Sequence, residues 1–503
     1  MIHARNLGDV VAQAPDPDRI ALIDLSEPAT PRAWSFGELD RAAATVARGL
    51  LARGGKRGDR VAILSANRAE YLTTFLGTMR AGMVSVPINL KLPPAAIEHI
   101  VRDAAVSLVF VDAERRSAVP AGPSVVELGA ELDAFASSGA FASVEPEDGE
   151  VAMILYTSGS SGLPKGVPLT HAGALWTAEH RLRAAPDLSG ERLLVAAPLY
   201  HMNALWITCV VAFPGHASVV MLPRFSARAF IEAIGRHRCT WLTGVPTMMA
   251  LVVQEPAALA ATDCSSVQRI TIGSAPLTQA LIDRIKAAFP GASVTNGWGT
   301  TESGPAAFGP HPRGVPRPDL SLGHPVDGVD IRLVAGDDLD AEEGVLQIRT
   351  PALMPGYLNL PQKTAAVMTP DGYYITGDVM RRDADGFYFF VGRADDMFVC
   401  GGENIYPGEV ETMLERHPGI QQACVVAVPD EIKGAKPVAF VVRTGGDEPS
   451  AEAVKQWALA NAPAYQHPRH VEFVGELPLA GTGKIDRKSL TERALRLARS
   501  VHA

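Results

Sequence analysis

Residues 154–171 read ILYTSGSSGLPKGVPLTH. A short apolar run opens into a loop of hydroxyls and glycines that closes on a lysine. Thr157, Ser158, Ser160 and Ser161 offer hydroxyls, Gly159 and Gly162 let backbone N–H groups approach an anion, and Lys165 brings a point charge. That inventory suits a phosphate cradle. It suits a solvated Ser/Gly surface loop equally well, and composition alone does not separate the two. A Walker-type phosphate loop requires G-x-x-x-x-G-K-[ST]. Counting from Gly159, Pro164 takes the second glycine position, and Gly166 stands where a hydroxyl must follow Lys165. The Walker geometry, in which the loop opens a helix, is therefore excluded. The thirteen histidines form no HExxH or related spacing, which argues against a metal hydrolase. Cys209, Cys239, Cys264, Cys400 and Cys424 are scattered, with no CxxC, and read as reduced and mostly buried thiols of a cytoplasmic protein.

The elements around the loop must hold it rigidly. RVAILS (60–65) reads as a strand, NRAEYLTTFLGTMRAG (67–82) as a helix with Asn67 as N-cap, and MVSVPIN (83–89) as the next strand. The same rhythm recurs at ERLLVAAPLY, at CTWLTGVPTMMALVVQ and at SVQRITIGSAPLTQALIDRIKAAF, the pattern of parallel βαβ units. After about residue 320, DIRLVAG, EGVLQIRT, GYYITGDVM and GFYFFVGR are short strands between Gly and Asp turns, a small β-rich subdomain. ENIYPGEVETMLERHPG then reads as a helix with Pro407 in its first turn and Val410, Met413 and Leu414 on one apolar face. ACVVAVPD and KPVAFVVR follow as paired strands. The expected fold is α/β: a large N-terminal domain of βαβ-type sheets with the β-rich subdomain, then a small, mobile α+β C-terminal domain. The boundary falls just after Arg393, dividing the chain into 1–394 and 395–503.

The 503 residues are too many for one ordinary core. Hydrophobic residues at 47% and charged residues at 20% describe a folded globular chain. A net charge of −9 argues against general affinity for nucleic acid or anionic membrane. No stretch approaches the roughly 20 unbroken apolar residues of a membrane span.

The loop resembles the phosphate loop of the adenylate-forming superfamily, which comprises AMP-forming acyl-CoA synthetases, adenylation domains and luciferases. The usual text is Y-T-S-G-[ST]-T-G-x-P-K-G-V, and here it is YTSGSSGLPKGV, with Ser161 keeping the hydroxyl of the common threonine. Further segments resemble the family's motifs in the family's order: PLYHMNALW (198–206), GSAPL (273–277), GWGTTESG (297–304), YYITGDV (373–379), GRADDMFVCGGENIYPGEVE (392–411) and PLAGTGKIDR (478–487).

The resemblance implies an ATP-dependent acyl-CoA synthetase. A carboxylic acid is converted to acyl-AMP with release of pyrophosphate, and the acyl group then passes to the thiol of coenzyme A. A stand-alone adenylation enzyme loading a carrier protein is the alternative, and a P-loop phosphotransferase and a decayed binding protein are more distant ones. By resemblance, Thr157, Ser158, Gly159, Ser160, Ser161, Gly162 and Lys165 grip the β- and γ-phosphates. Gly273, Ser274, Ala275, Pro276, Asn296, Gly297, Gly299, Thr300 and Thr301 surround the adenine, and Trp298 replaces the usual tyrosine as its aromatic face. Asp378 and Arg393 hold the ribose. Glu302 ligates Mg2+, Lys484 is the catalytic cation of adenylation and Lys165 assists. Read alone, these are a turn former, a surface ion-pair arginine, a solvated acid and an exposed lysine. The hinge is Asp395, with Asp396 as the other pivot, and Gly401, Gly402 and Glu403 enter for the thioester step.

The acyl pocket falls to His201, Met202, Asn203, Trp206, Gly244, Thr247, Met248 and Gly299, beside the glycine of GSAPL at 273. Met202 stands where amino-acid-adenylating domains carry an aspartate, and GVPTMMALVV lacks the arginine of malonate-type enzymes. With Trp206, Trp241 and Met248 the pocket reads as apolar and limited, suited to a medium-length or aromatic monocarboxylic acid. A homodimer is left open.

Overall fold

The computed structural model describes residues 4–27, 29–157, 163–183, 187–305, 307–400, 403–430, 433–445, 448–480 and 484–500. Two large sheets, mostly parallel, form its body. One runs Ser124–Glu127, Val106–Val111, Arg60–Leu64, Val84–Pro87, Val151–Thr157, Lys165–Thr170. The other runs Ser293–Gly297, Arg269–Gly273, Trp241–Gly244, Arg192–Val195, Ser218–Met221, Ile20–Asp24, Arg32–Ser35. Each ends in one antiparallel pair at an edge. The central strands are Val-, Ile- and Leu-rich because both faces are covered, as parallel sheets require. A single apolar cluster joins elements of both sheets, from Leu7 through Phe75 and Leu194 to Ile285.

The expected alternation of strands and helices is present, with one local correction. Helix Ala69–Arg80 begins after Arg68, and its first amide, of Ala69, donates to Asp24 Oδ2 at 2.7 Å rather than to Asn67. Asn67 instead donates to Ala197 O and Leu222 O and accepts from the Leu199 amide. It ties the two sheets together where the sequence suggested a local cap.

The β-rich part is a four-stranded antiparallel sheet, Asp330–Val334, Glu343–Arg349, Tyr374–Arg382, Tyr388–Arg393. After it comes a five-stranded sheet in which Gly434–Arg443 pairs with Ile420–Asp430, Phe398–Cys400 and His470–Phe473. Helix Pro407–Leu414 packs on that sheet through Val410, Met413 and Leu414, with Pro407 in the first turn as expected. These C-terminal elements have apolar clusters of their own, centred on Val425 and Phe440. Helix Met202–Trp206 continues without a break into a π-wound segment, Ile207–Ala212, which is fully wrapped by core residues apart from Ile207. Among the described residues no helix is long and apolar enough to cross a membrane.

Candidate active site

The phosphate-type loop joins two antiparallel strands. Thr157 and Lys165 are register partners at the open end of the pair Val151–Thr157 and Lys165–Thr170. This is the physical content of the failed Walker motif: the loop is a hairpin connection and opens no helix. Ser158, Gly159, Ser160, Ser161 and Gly162 lie outside the described residues. Thr157 Oγ1 is buried with no hydrogen-bond partner among the described residues, a hydroxyl left over at the loop's base. Lys165 Nζ sits 4.4 Å from the centroid of the Tyr357 ring, a cation–π contact that aims the ammonium along the cleft.

The C-terminal ends of neighbouring strands meet that hairpin, the place where open α/β sheets hold ligands. Arg269–Gly273 ends in the GSAPL turn and Ser293–Gly297 leads into GWGTTES. A Cβ on Gly273 would lie 2.7 Å from Gly297 O, so only glycine lets these two strand ends stay paired. Ser274 adopts a φ of 69°, a strained backbone at the turn, and its hydroxyl accepts from Asn203 Nδ2 at 3.3 Å.

One cavity of 2740 Å³ runs through the region. A pocket for one drug-sized ligand is roughly 300–1,000 Å³, so this volume admits several substrates together. Thr157, Lys165, 273–276, 296–302, Asp378, Arg393, Asp395 and Lys484 all line it. So do His201, Met202, Asn203, Trp206, Thr247 and Met248. Gly244 does not line it: it closes strand Trp241–Gly244, fully buried, with the Met248 side chain against it. Glu403 is exposed on the small hairpin Phe398–Cys400/Glu403–Ile405 and is absent from the lining. Gly401 and Gly402 lie outside the described residues.

Three carboxylates and two cations dominate the cleft. Asp378 is buried, and its two oxygens are both engaged: Oδ1 accepts from Arg393 NH1 at 2.8 Å and Oδ2 from Trp298 Nε1 at 2.7 Å. Burial raises its pKa, and Arg393 and Trp298 oppose that rise. Gly377, with a φ of 74°, turns the strand so that Arg393 can pass directly beside it, where a Cβ would meet NH2 at 2.8 Å. Burial alone would depress Arg393, but Asp395 and Asp378 outweigh it and hold the guanidinium above its ordinary value. Asp395 accepts from Arg393 Nε at 2.8 Å. Glu302 is also buried, and its Oε1 accepts from Tyr357 OH at 2.8 Å. Tyr374 in turn bonds to Tyr357, and burial followed by the Glu302 charge raises both phenols, keeping them protonated.

Lys484 follows the terminal loop, which a bridge between Leu479 and Ile485 closes. It is exposed and reaches water through the open cleft. Burial lowers its pKa, Asp378 and Glu302 raise it and Arg393 lowers it. Those three partners place the lysine beside Asp378 and Glu302, although 106 positions separate it from Asp378 in the chain. The C-terminal elements reach this position through Arg284 NH2, which donates to Gln421 O at 3.3 Å, and through Glu415, which bonds to Thr278.

Among the described residues no three His, Cys, Asp or Glu side chains converge on a common metal position. A divalent ion here would rest on Glu302 together with oxygens brought by a ligand, the coordination Mg2+ prefers with phosphates. The thiols of Cys209, Cys239 and Cys424 are buried and pushed up by burial, far from a reactive state.

Sequence reasoning did not single out Tyr357, Tyr374 or Arg181, all of which line the cavity. Tyr374 lies inside the YYITGDV segment and Tyr357 outside every recognised motif, and neither carries local chemistry by itself. Arg181, beside His180 and Arg183, reads as a basic last helical turn.

Residues 10–358 match the family model of the AMP-binding enzymes, and residues 409–484 match that of the AMP-binding enzyme C-terminal domain. A feruloyl-CoA synthase of an Amycolatopsis species is 34% identical over 472 residues, covering 92% of this chain and 94% of its own. A fatty acid–[acyl-carrier-protein] ligase of Streptomyces coeruleorubidus is 32% identical, covering 93% and 94%. The ATP-bound structure of MatB from Rhodopseudomonas palustris superposes with a TM-score of 0.88 at 28% identity, covering 98% and 99%.

Proposed function

This chain belongs to the AMP-binding enzyme family, as an AMP-forming acid–thiol ligase, and we propose that it makes the CoA thioester of a medium-length or aromatic monocarboxylic acid. The observation that carries the residue roles is the meeting of Glu302, Asp378, Arg393 and Lys484 in one cleft beside the Thr157–Lys165 hairpin.

A carboxylate is a poor acyl donor because oxide is a poor leaving group. Attack of its oxygen on the α-phosphorus of ATP expels pyrophosphate and leaves acyl-AMP. Charge grows on phosphate oxygens, so positioning and electrostatic stabilisation supply the rate. Residues 157–165 hold the departing pyrophosphate. Trp298 presents its ring to adenine, and Asp378 and Arg393 hold the ribose. Bound together with ATP, Mg2+ would neutralise phosphate charge. Glu302 is the protein group that would hold it, oriented by Tyr357. Lys484 places its ammonium between the carboxylate and the α-phosphate. No general base is required, because the acid is already ionised near neutral pH.

Thiol attack on the acyl-AMP carbonyl then releases AMP. For this step the division into residues 1–394 and 395–503 matters. We assign the pivot to Asp395, which would bring the segment 401–403 to the cleft in place of Lys484. The bond from Arg393 to Asp395 supports that assignment, since it ties the hinge to a nucleotide-binding residue. ATP and CoA as substrates suit a cytoplasmic enzyme.

The similarity to a carrier-protein ligase favours one second reading, transfer of the acyl group to a carrier thiol. Pyrophosphate release over a panel of carboxylic acids, run with ATP, Mg2+ and CoA and followed by thioester analysis, tests both. Acyl-CoA formation supports the CoA ligase. Acyl-AMP that persists in the presence of free CoA supports the carrier reading. Absence of acid-dependent pyrophosphate release refutes both.

A further inference from the structure

One part of the cavity carries no group assigned to the adenylation chemistry, although its Phe308 packs edge-on against Trp298 with ring centroids 5.7 Å apart. Arg181, Leu188, Ile207, Val211, Pro305 and Phe308 line it. The helix bearing Arg181, His171–Arg183, packs on the π-wound segment Ile207–Ala212 that continues from the acyl-lining residues Met202 and Trp206. Pro305 lies directly against Gly299, where a Cβ would meet its Cα at 2.5 Å. This end is thus continuous with the acyl pocket, and the helix of Arg181 follows directly on strand Lys165–Thr170 of the phosphate hairpin.

Five of the six residues are apolar and the sixth is a guanidinium. Arg181 NH1 donates to Phe308 O at 3.2 Å and NH2 donates to Pro305 O. Among the described residues no carboxylate offsets it, and burial alone holds it below its ordinary value. A second guanidinium, Arg317, also lines the cavity and is bonded to the carbonyls of Asn296 and Ser321. It is pushed down to about 10 by burial and then by Arg181. Trp206 is buried at the other side of the segment, and its Nε1 has no acceptor among the described residues. All of these groups donate and none accepts. A half-buried cation facing another cation is costly unless something brings electron density to it. Two bonds leave three of the five guanidinium N–H donors of Arg181 for a ligand.

We propose that Arg181 is a specificity-determining residue: it selects acids whose far end carries an oxygen acceptor over acids that end in hydrocarbon. The inference rests on the proposed ligase reading, since the acid must lie between the adenylate site and this end. It sharpens the expected substrate to one that is apolar along its body and oxygenated at its tip. A hydroxyl and a carboxylate share that chemistry, and the test separates them.

The assay is pyrophosphate release by the full-length enzyme with ATP, Mg2+ and CoA. The acids are matched in length and end in methyl, hydroxyl or carboxylate, in an aryl and a straight-chain series. The wild-type enzyme should favour an oxygen tip over methyl by roughly tenfold or more in kcat/KM, since unfilled buried donors penalise the wrong acid. Preference for the carboxylate tip identifies a second anion as the ligand group, and preference for the hydroxyl identifies a neutral acceptor. Arg181→Met should abolish the preference, with kcat/KM falling roughly tenfold further for oxygen-tipped than for methyl-tipped acids. Arg181→Gln keeps an amide donor for the Pro305 and Phe308 carbonyls, and it decides the matter if the methionine variant does not fold. Indifference of the wild type to the tip overturns the proposal. So does an equal loss for every acid in both variants, which would make Arg181 a backbone clamp only. No pyrophosphate release with any acid would instead refute the ligase reading and this inference with it.

Discussion

Replacing Trp298 with phenylalanine keeps an aromatic face for adenine and removes one atom's worth of chemistry, the indole N–H. That N–H donates at 2.7 Å to Asp378 Oδ2, on a carboxylate that is 6% exposed. A hydrogen bond to a charged group contributes about 1.5–3 kcal/mol. Asp378 keeps the 2.8 Å bond from Arg393, so the lower end of that range applies. About 1.4 kcal/mol is tenfold in an equilibrium constant. The expected outcome for Trp298→Phe is therefore a KM for ATP raised roughly tenfold, with the KM for the acid unchanged. The pH profile carries an independent signature. Burial raises the Asp378 pKa and the indole opposes that rise. Without the indole the pKa climbs further, and the ionised form is the one proposed to hold the ribose. The acidic limb of kcat/KM for ATP should then move to higher pH. An unchanged KM for ATP together with an unmoved acidic limb would refute the reasoning and reduce the indole bond to an incidental contact.

Lys484→Ala should lower acyl-AMP formation at least 100-fold, the scale of a lost charge-stabilising donor, while sparing thioester formation from supplied acyl-AMP. Equal loss of both half-reactions would count against the assignment. Tyr357→Phe removes the 2.8 Å donor to Glu302 and should raise the Mg2+ concentration for half-maximal activity about tenfold, as partners of metal ligands commonly do. A magnesium titration that overlays the wild type would contradict it. Glu415 is held between the Ala423 amide, Thr278 and Arg284, with Glu411 nearby, and burial raises its pKa to about 7 from an ordinary value of 4.5. A carboxyl raised in the folded state contributes stability that is complete below the unfolded pKa and is lost as pH rises through the folded one. Melting temperature should thus decline between about pH 4.5 and pH 8. Glu415→Gln should flatten that decline and raise stability by roughly 1–2 kcal/mol at pH 8. A variant with the wild-type pH profile would exclude the carboxyl as its source.

Much of this site could be read from the chain because its parts are short peptides with internal logic. The run from Thr157 to Lys165 carries its own hydroxyls, glycines and cation, and Pro164 and Gly166 already told against a helix-opening loop. The strands and helices were visible as periodicity, since parallel strands buried on both faces leave continuous apolar runs. What stayed hidden depends on long-range contact. Tyr357 matters because a hairpin and two sheets bring it to Glu302, 55 residues away. Asn67 resembled a cap and became a tie between sheets, because the polar groups it satisfies belong to residues 197–222. Trp298 was legible as an aromatic face, whereas its donor role depends on where the strand of Asp378 lies. Arg181 looked like dipole-balancing charge at a helix end until the cavity beside it was seen.

The π winding at Ile207–Ala212 bears on how such a pocket diversifies. An extra residue per turn is accommodated there without breaking the helix that carries Met202 and Trp206. Loss of one residue from that segment would restore ordinary winding, and each residue of an α-helix accounts for about 100° of rotation. The slower winding of the segment takes up that rotation, so the Trp206 side would keep its orientation relative to Phe213 and only the residues of the segment itself would be rearranged. A lineage can therefore reshape the wall at 207–212 by gain or loss of one residue while Met202 and Trp206 stay in place.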